Sequence, residues 1–403
     1  MRKFMIILVF YLVIATLQGQ AQETYTLSSS DSISYQYYSK GDWENLIRFG
    51  KESIRQNIDF KWLRQRLGYA YFVKGDYYAS QLQYEKALNF DKKDDITLTY
   101  LYYCGLYTNN ESFARYQAGS LPVMTQKRIG VNALKILDAL DVEYNYKLNS
   151  DHSRSNPGYY RLGLNSRLGY RVNLYQALST YSQHIDSTGI RQNEYFALVD
   201  CSITSHISLD IAYHYLSTNV VDTITYRVTR SRKRTVIDST FLPGHLFYSK
   251  LSFRQNRFDL SVSGSILSYD SVLTWQYGIQ AGVVLPGKCN IYLKSSLYDL
   301  MASGTNHLVF CQTAGTLVLK KLWVEGEITL GNQKNFAESN GLYIYNSVDA
   351  TTFKTGISLF WYLTGKVTVF GNYSYNRKQI EYTDKSTSNY NQHSFSSGII
   401  WKI

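Results

Sequence analysis

Beyond Leu137, apolar and polar residues alternate one for one in runs of ten to fourteen, each closed by a turn. A period of two puts successive side chains on opposite faces of a strand. In the run 273–285, Trp275, Tyr277, Ile279, Ala281, Val283 and Leu285 share one face, against Gln276, Gly278, Gln280 and Gly282. In 352–364, Phe353, Ile357, Leu359, Trp361 and Leu363 oppose Lys354, Gly356 and Ser358. In Asn391–Ile403 the apolar face carries Phe395, Ile399, Trp401 and Ile403. An unpaired strand of this kind would aggregate. It is expected to pair with an early strand and close a barrel.

The pattern predicts about fourteen strands, within a range of 12–16. They lie near 137–148, 159–168, 170–183, 193–204, 207–219, 245–254, 257–267, 273–285, 289–300, 306–319, 322–331, 352–364, 366–381 and 391–403. Even-numbered strands run into short turns and odd-numbered ones into longer loops, up to about 25 residues at 220–244. That asymmetry marks outer-membrane barrels. A soluble β-sandwich would alternate too, but crossing a membrane obliquely takes ~9–11 residues per strand, against ~5–6 in ordinary sheets. The predicted fold is an all-α helical repeat followed by a transmembrane antiparallel β-barrel.

Ahead of the strands, a period of 34 runs through residues 35–118. This is the tetratricopeptide repeat length. The clearest copy holds Leu67, Gly68, Tyr71, Gly75, Tyr77, Ser80, Tyr84 and Ala87 at signature positions. Small residues at the helix crossing let two helices approach, and Gly75 frees the turn between them. Two and a half to three copies are present, and such stacks present a concave face to a peptide or partner domain.

Composition then decides compartment. Residues 1–21 read as a secretory signal: Arg2 and Lys3, an apolar core from Phe4 to Leu17, and Gly19-Gln20-Ala21 at the cleavage site. Fourteen apolar residues fall short of the ~20 a spanning helix needs. The expected domains are therefore 1–21 signal, 22–125 periplasmic repeats and 126–403 barrel. The chain has 38 Tyr and only 4 Pro, which suits a surface with greasy rings and wet hydroxyls. Residues 22–125 balance 12 basic against 12 acidic side chains, whereas 126–403 carry 28 against 19. In an exported protein that excess points to acidic lipid or sugar, not to nucleic acid. Cys104, Cys201, Cys289 and Cys311 lack metal-ligand spacing and read as free thiols.

Signal, periplasmic repeats and barrel together resemble the YaiO-like outer-membrane barrel proteins, and more distantly the exopolysaccharide-export porins. The Tyr- and Asn-rich style is similar to that of Bacteroidota outer-membrane proteins. The resemblance covers the whole mature chain as architecture and implies localisation in the outer membrane of a Gram-negative bacterium. It transfers no functional residue.

The face opposite the apolar one should line the lumen. It carries Asp141, Glu143, Lys147, Arg161, Arg167, Arg171, Asp200, Asp210, His214, Lys250, Arg254, Lys294, Glu325, Glu327 and Lys354. These charges either pair to fill the interior or form an eyelet that screens small solutes. A basic ring of Arg257, Lys288, Lys320, Lys321, Lys366 and Lys402 falls at short turns and the C-terminus, facing phospholipid headgroups or the repeat domain. Arg227, Arg230, Arg232, Lys233 and Arg234, with Asp222 and Asp238, would meet lipopolysaccharide phosphates from an outer loop. The function expected is a pore or export and assembly component whose repeats recruit a periplasmic protein or peptide. The alternative is a lipid- or glycan-modifying enzyme with a rim histidine among His214, His245, His307 and His393. No catalytic set, metal site or cofactor motif is recognisable.

Overall fold

The computed structural model describes residues 25–227, 233–287, 291–319, 321–382 and 384–403, with side chains described outside 224–234. The signal segment, Lys288, Cys289, Lys320, Arg230 and Arg232, and the side chains of Arg227, Lys233 and Arg234, lie outside that description. Contacts divide the chain into two units, one ending at Asn109 and the other beginning at Asn110.

The first unit contains α1 (Leu27–Lys40), α2 (Trp43–Arg55), α3 (Lys61–Val73), α4 (Tyr77–Ala87) and α5 (Asp95–Tyr107). Helices start where a side chain can cap them. Asp42, Asp76 and Asp94 accept from the backbone N–H groups of Asn45, Ala79 and Thr97. The helix starts Leu27, Lys61 and Asp95 are spaced by 34, as are Trp43, Tyr77 and Glu111. Leu46, Leu63, Leu67, Tyr84 and Leu101 are fully buried. The close crossing explains the small residues. A Cβ on Gly68 would stand 2.7 Å from the Tyr84 ring, and the Ser80 hydroxyl donates to Gly68 O at 2.8 Å.

The second unit opens with α6 (Glu111–Ala118) and α7 (Val123–Arg128), then forms a closed antiparallel barrel. Its strands are β1 (Leu134–Asn149), β2 (Gly158–Leu168), β3 (Val172–Ile185), β4 (Thr188–Ser202), β5 (Ile207–Arg227), β6 (Lys233–Gln255) and β7 (Phe258–Tyr269). They continue with β8 (Val272–Val284), β9 (Tyr292–Ala302), β10 (Thr305–Val318) and β11 (Leu322–Leu330). Two short strands, β12 (Ala337–Glu338) and β13 (Tyr343–Ile344), pair with each other apart from the barrel wall. The wall resumes with β14 (Ala350–Tyr362), β15 (Val367–Glu381) and β16 (Thr387–Lys402). Fourteen strands make the wall, and β16 closes it on β1 with Asp141 opposite Ile400 and Tyr146 opposite Phe395. Phe395, Ile399 and Trp401 stand on the exposed outer face of β16, while Gln392 and Ser394 are buried inside. In the β9–β10 pair Cys311 faces Ser296, and Cys104, Cys201 and Cys311 are free thiols.

The connections differ from expectation. Those from odd to even strands are mostly tight: Asp270-Ser271 and Ser303-Gly304 turn in two residues, all four with positive φ. That is the two-residue hairpin geometry whose twist matches the strands, so residues expected in loops extend the strands instead. Of the loop expected at 220–244, the described residues 220–227 and 233–244 are strand, in a ladder that runs from Ile207–Phe253 to Arg227–Lys233. Val220, Val221, Thr223, Val236, Ile237 and Thr240 are β-branched and favour it. Past Thr223 on β5 and before Gly244 on β6, the described residues of these strands pair with each other.

Candidate functional site: the barrel interior

One long odd-to-even connection remains, residues 331–349, and it folds into the bore. Two local features turn it inward. Asn340 takes the left-handed conformation at φ 60°, and Gly341 follows at φ +84°. Short polar and Cβ-free residues tolerate that region best. Around this bend the β12–β13 hairpin touches the wall on many sides.

Toward β5 and β6, Lys250 pairs with Asp210 at 2.7 Å, and Asn340 bridges both, accepting from Lys250 at 2.8 Å and donating to Asp210 at 3.1 Å. His214 is fully buried, with Nδ1 2.8 Å from Gly341 O and Nε2 3.5 Å from Glu194. Toward β8, Gln276 bonds both backbone groups of Ala337, at 2.9 and 3.0 Å. Toward β1 and β2, Arg161 pairs with Asp141 at 3.1 Å and Glu143 at 2.9 Å, and the Tyr343 hydroxyl donates to Glu143 at 2.7 Å. Gly163 makes room here, since a Cβ would fall on the Asp141 carboxylate. Toward β11 and β14, Lys354 pairs with Glu327 at 2.8 Å and with Glu338 of the loop at 3.0 Å. Asp349 holds Arg154 through two oxygens, at 2.6 and 3.0 Å, and accepts from Tyr390.

Apolar side chains of the loop fill the remaining contacts. Phe336 packs with Tyr298, Leu300 and Val309; Ala337 and Ile344 with Leu216, Leu246 and Leu267; Leu342 with Phe196 and Tyr248. The interior is therefore a cross-braced network, in which most braces pair a charged group with a partner and the Gln276 amide serves as a neutral one. Beside the loop a cavity of about 480 Å³ remains against β1–β4, β11 and β14–β16, with Lys147, Glu143, Glu325, Glu327, Lys354 and Lys378 among its lining.

The remaining candidates sit toward the end where the chain enters and leaves the barrel. There Arg167 pairs with Asp138 at 2.8 Å. Asp200 accepts from Ser112 of α6 at 2.9 Å and lies 3.7 Å from Arg115. The Arg171 guanidinium lies over the Tyr116 ring at 4.8 Å. Arg254 stands beside Asp259 across β6–β7, and Lys294 projects inward from β9 with Ser296 and Tyr298. Lys402 binds Glu111 at 2.7 Å. Burial would raise the Glu111 carboxyl, but Lys402 and Arg115 outweigh it and hold it below the ordinary value. Arg257, Lys321 and Lys366 occupy the turns at this same end.

The histidines are dispersed. His245 and His393 lie on outward positions, each against a tyrosine hydroxyl, Tyr213 and Tyr373, at 2.9 Å. His307 is on β10, far along the chain from the buried His214. Sequence patterning missed the inward loop and its partners Arg154, Glu194 and Lys378. A signal was present: Phe336, Leu342 and Ile344 are apolar residues in a stretch that an aqueous loop would keep polar.

No family model matches the chain, and no curated protein matches it. Solved structures similar to this chain include a bacterial polysaccharide outer membrane secretin, 10% identical over 66% of this chain and 99% of that one, with a TM-score of 0.40. The P. putida toluene transporter TodX is 6% identical over 68% and 91%, with a TM-score of 0.45. A Pseudomonas aeruginosa FadL homologue is 8% identical over 73% and 94%, with a TM-score of 0.39.

Proposed function

We propose that this chain is an outer-membrane channel, acting as a pore or export component whose bore is constricted by residues 331–349. The observation that carries the reading is the inversion of the barrel. Its outer face is an exposed apolar belt, including Leu178, Ile211, Phe247 and Ile279, while charge and amide groups fill the inside. In water such a belt would aggregate; in lipid it is the stable arrangement. A charged interior with a cavity then makes sense as a path for polar solutes.

The rest of the reading follows from that orientation. The end bearing α6, both chain ends of the barrel and the tight even-to-odd turns would face the periplasm. The helical hairpins spaced by 34 would be tetratricopeptide-like repeats that recruit a periplasmic protein or peptide. Arg257, Lys321 and Lys366 would meet anionic headgroups of the inner leaflet, each worth ~1 kcal/mol. The extended β5–β6 hairpin would stand on the outer side, within reach of lipopolysaccharide. The test is planar-bilayer recording of the purified full chain. Discrete ion-conducting steps are expected, and a tight seal without steps at any voltage would overturn the channel reading.

A further inference from the structure

We infer that the cavity beside the inward loop is a binding subsite for an anionic sugar, a hydroxyl-rich ligand carrying a carboxylate or phosphate, held by Lys147 and Lys378. This rests on the channel reading and names the class of solute it would take. The neighbouring acids are already committed. Glu143 is bound by Arg161 and Tyr343, Glu327 and Glu338 share Lys354, Asp349 grips Arg154, Glu194 accepts from Ser179 and Gln192, and Glu325 accepts from the Trp323 indole N–H at 3.2 Å.

The two lysines are not. Among the described residues, Lys378 Nζ donates to the Ser347 hydroxyl at 3.0 Å and makes no ion pair. Lys147 Nζ stands over the Tyr181 ring at 5.7 Å, again with no carboxylate partner. Lys378 is buried and Lys147 half-buried; ammonium groups drawn out of water without an anion are costly, and two on one wall also repel. A bound anion removes both costs.

The wall between them is chemically specific. Lys147 on β1 lies opposite Ser394 of β16, and Lys378 on β15 lies opposite Tyr390 of the same strand. Asn145, Asn376, Gln392 and Ser394 line the same cavity, all buried. Asn145 Oδ1 has no protein partner among the described residues. Amides offer donor and acceptor together, as a sugar hydroxyl requires, and Tyr181 adds an aromatic face. The cavity of about 480 Å³ falls within the size of small-molecule sites, roughly 300–1,000 Å³.

The test is calorimetric titration of the full chain in detergent micelles with glucuronate, glucose 6-phosphate, glucose and inorganic phosphate. One or both sugar anions should bind at least about tenfold tighter than glucose or phosphate, and K147Q/K378Q should lose about tenfold per lysine, the scale of a charge-assisted hydrogen bond. K147R/K378R should keep the preference. Glucuronate against glucose 6-phosphate tells which anionic group the subsite prefers. Retained heat-modifiable migration checks that each variant is folded, and the single substitutions replace the double one if it is not. No binding, equal affinity for glucose or for phosphate, or unchanged binding in folded K147Q/K378Q would overturn the assignment. Micelle binding needs no conduction. Binding without conductance would sink the channel reading and leave the subsite, and conductance without binding would do the opposite.

Discussion

The helical unit and the barrel are built from similar residues turned in opposite directions. In the first, leucines and Tyr84 are interior and the charges of Lys74 and Glu44 lie at the surface. In the second, the exposed residues are Leu, Ile, Val, Phe and Trp, and the buried ones include Asp141, Glu143, Arg161, His214 and Lys354. Each arrangement minimises apolar exposure to water, given a different surrounding medium. The lesson is that burial alone does not identify a core. The centre of the barrel joins a polar network to small apolar clusters around one loop.

The comparison is most sharply broken at Lys354. K354M leaves Glu327 and Glu338 buried together without their cation, and such a loss costs about 3–5 kcal/mol. The midpoint of heat-modifiable migration should fall markedly, and K354M combined with E327Q and E338Q should restore much of it. A helical core leucine has no charge partner that could rescue its loss in this way.

A second test separates the two barrel faces. I279K puts a charge on the outer belt, where a midplane cation costs ~2–4 kcal/mol. S261K places the same charge on an inward position of β7. Outer-membrane yield should drop for the first and stay near wild type for the second. Equal yields would mean the belt does not face lipid.

The smallest effect lies in the helical unit. Burial would raise the Asp94 carboxyl, but the hydrogen bonds of Thr97 and Lys61 prevail and hold it below its ordinary value. A depressed folded value means the contribution is complete above the unfolded pKa and is lost as pH falls through the folded one. Helical stability should therefore decline below about pH 4, and D94A should flatten that decline while costing about 1 kcal/mol at neutral pH as a lost cap.

Much of the wall was legible because a period of two is a local signal. All fourteen predicted strands overlap observed ones, and the outward set on β16 could be read from Phe395, Ile399 and Trp401 alone. The helix spacing was legible for the same reason, since Gly68 and Ser80 answer to a crossing a few residues away. Turn lengths were misjudged because Asp270-Ser271 reads as loop composition, whereas only the left-handed backbone there reveals a two-residue turn. The fate of residues 331–349 was not legible. Asn340 meets Asp210 and Lys250, and Tyr343 meets Glu143, across sequence distances of 90 to 200 residues. No periodicity encodes such meetings.

In the proposed channel the inward loop sets the width of the conducting bore. The direct measurement is single-channel conductance of the full chain against a variant in which residues 332–348 are replaced by a short glycine turn, both checked for heat-modifiable migration. Removal of the hairpin should raise conductance several-fold and abolish discrimination between small ions of opposite charge. Equal conductance in the two folded proteins would contradict the account and place the path, if there is one, elsewhere.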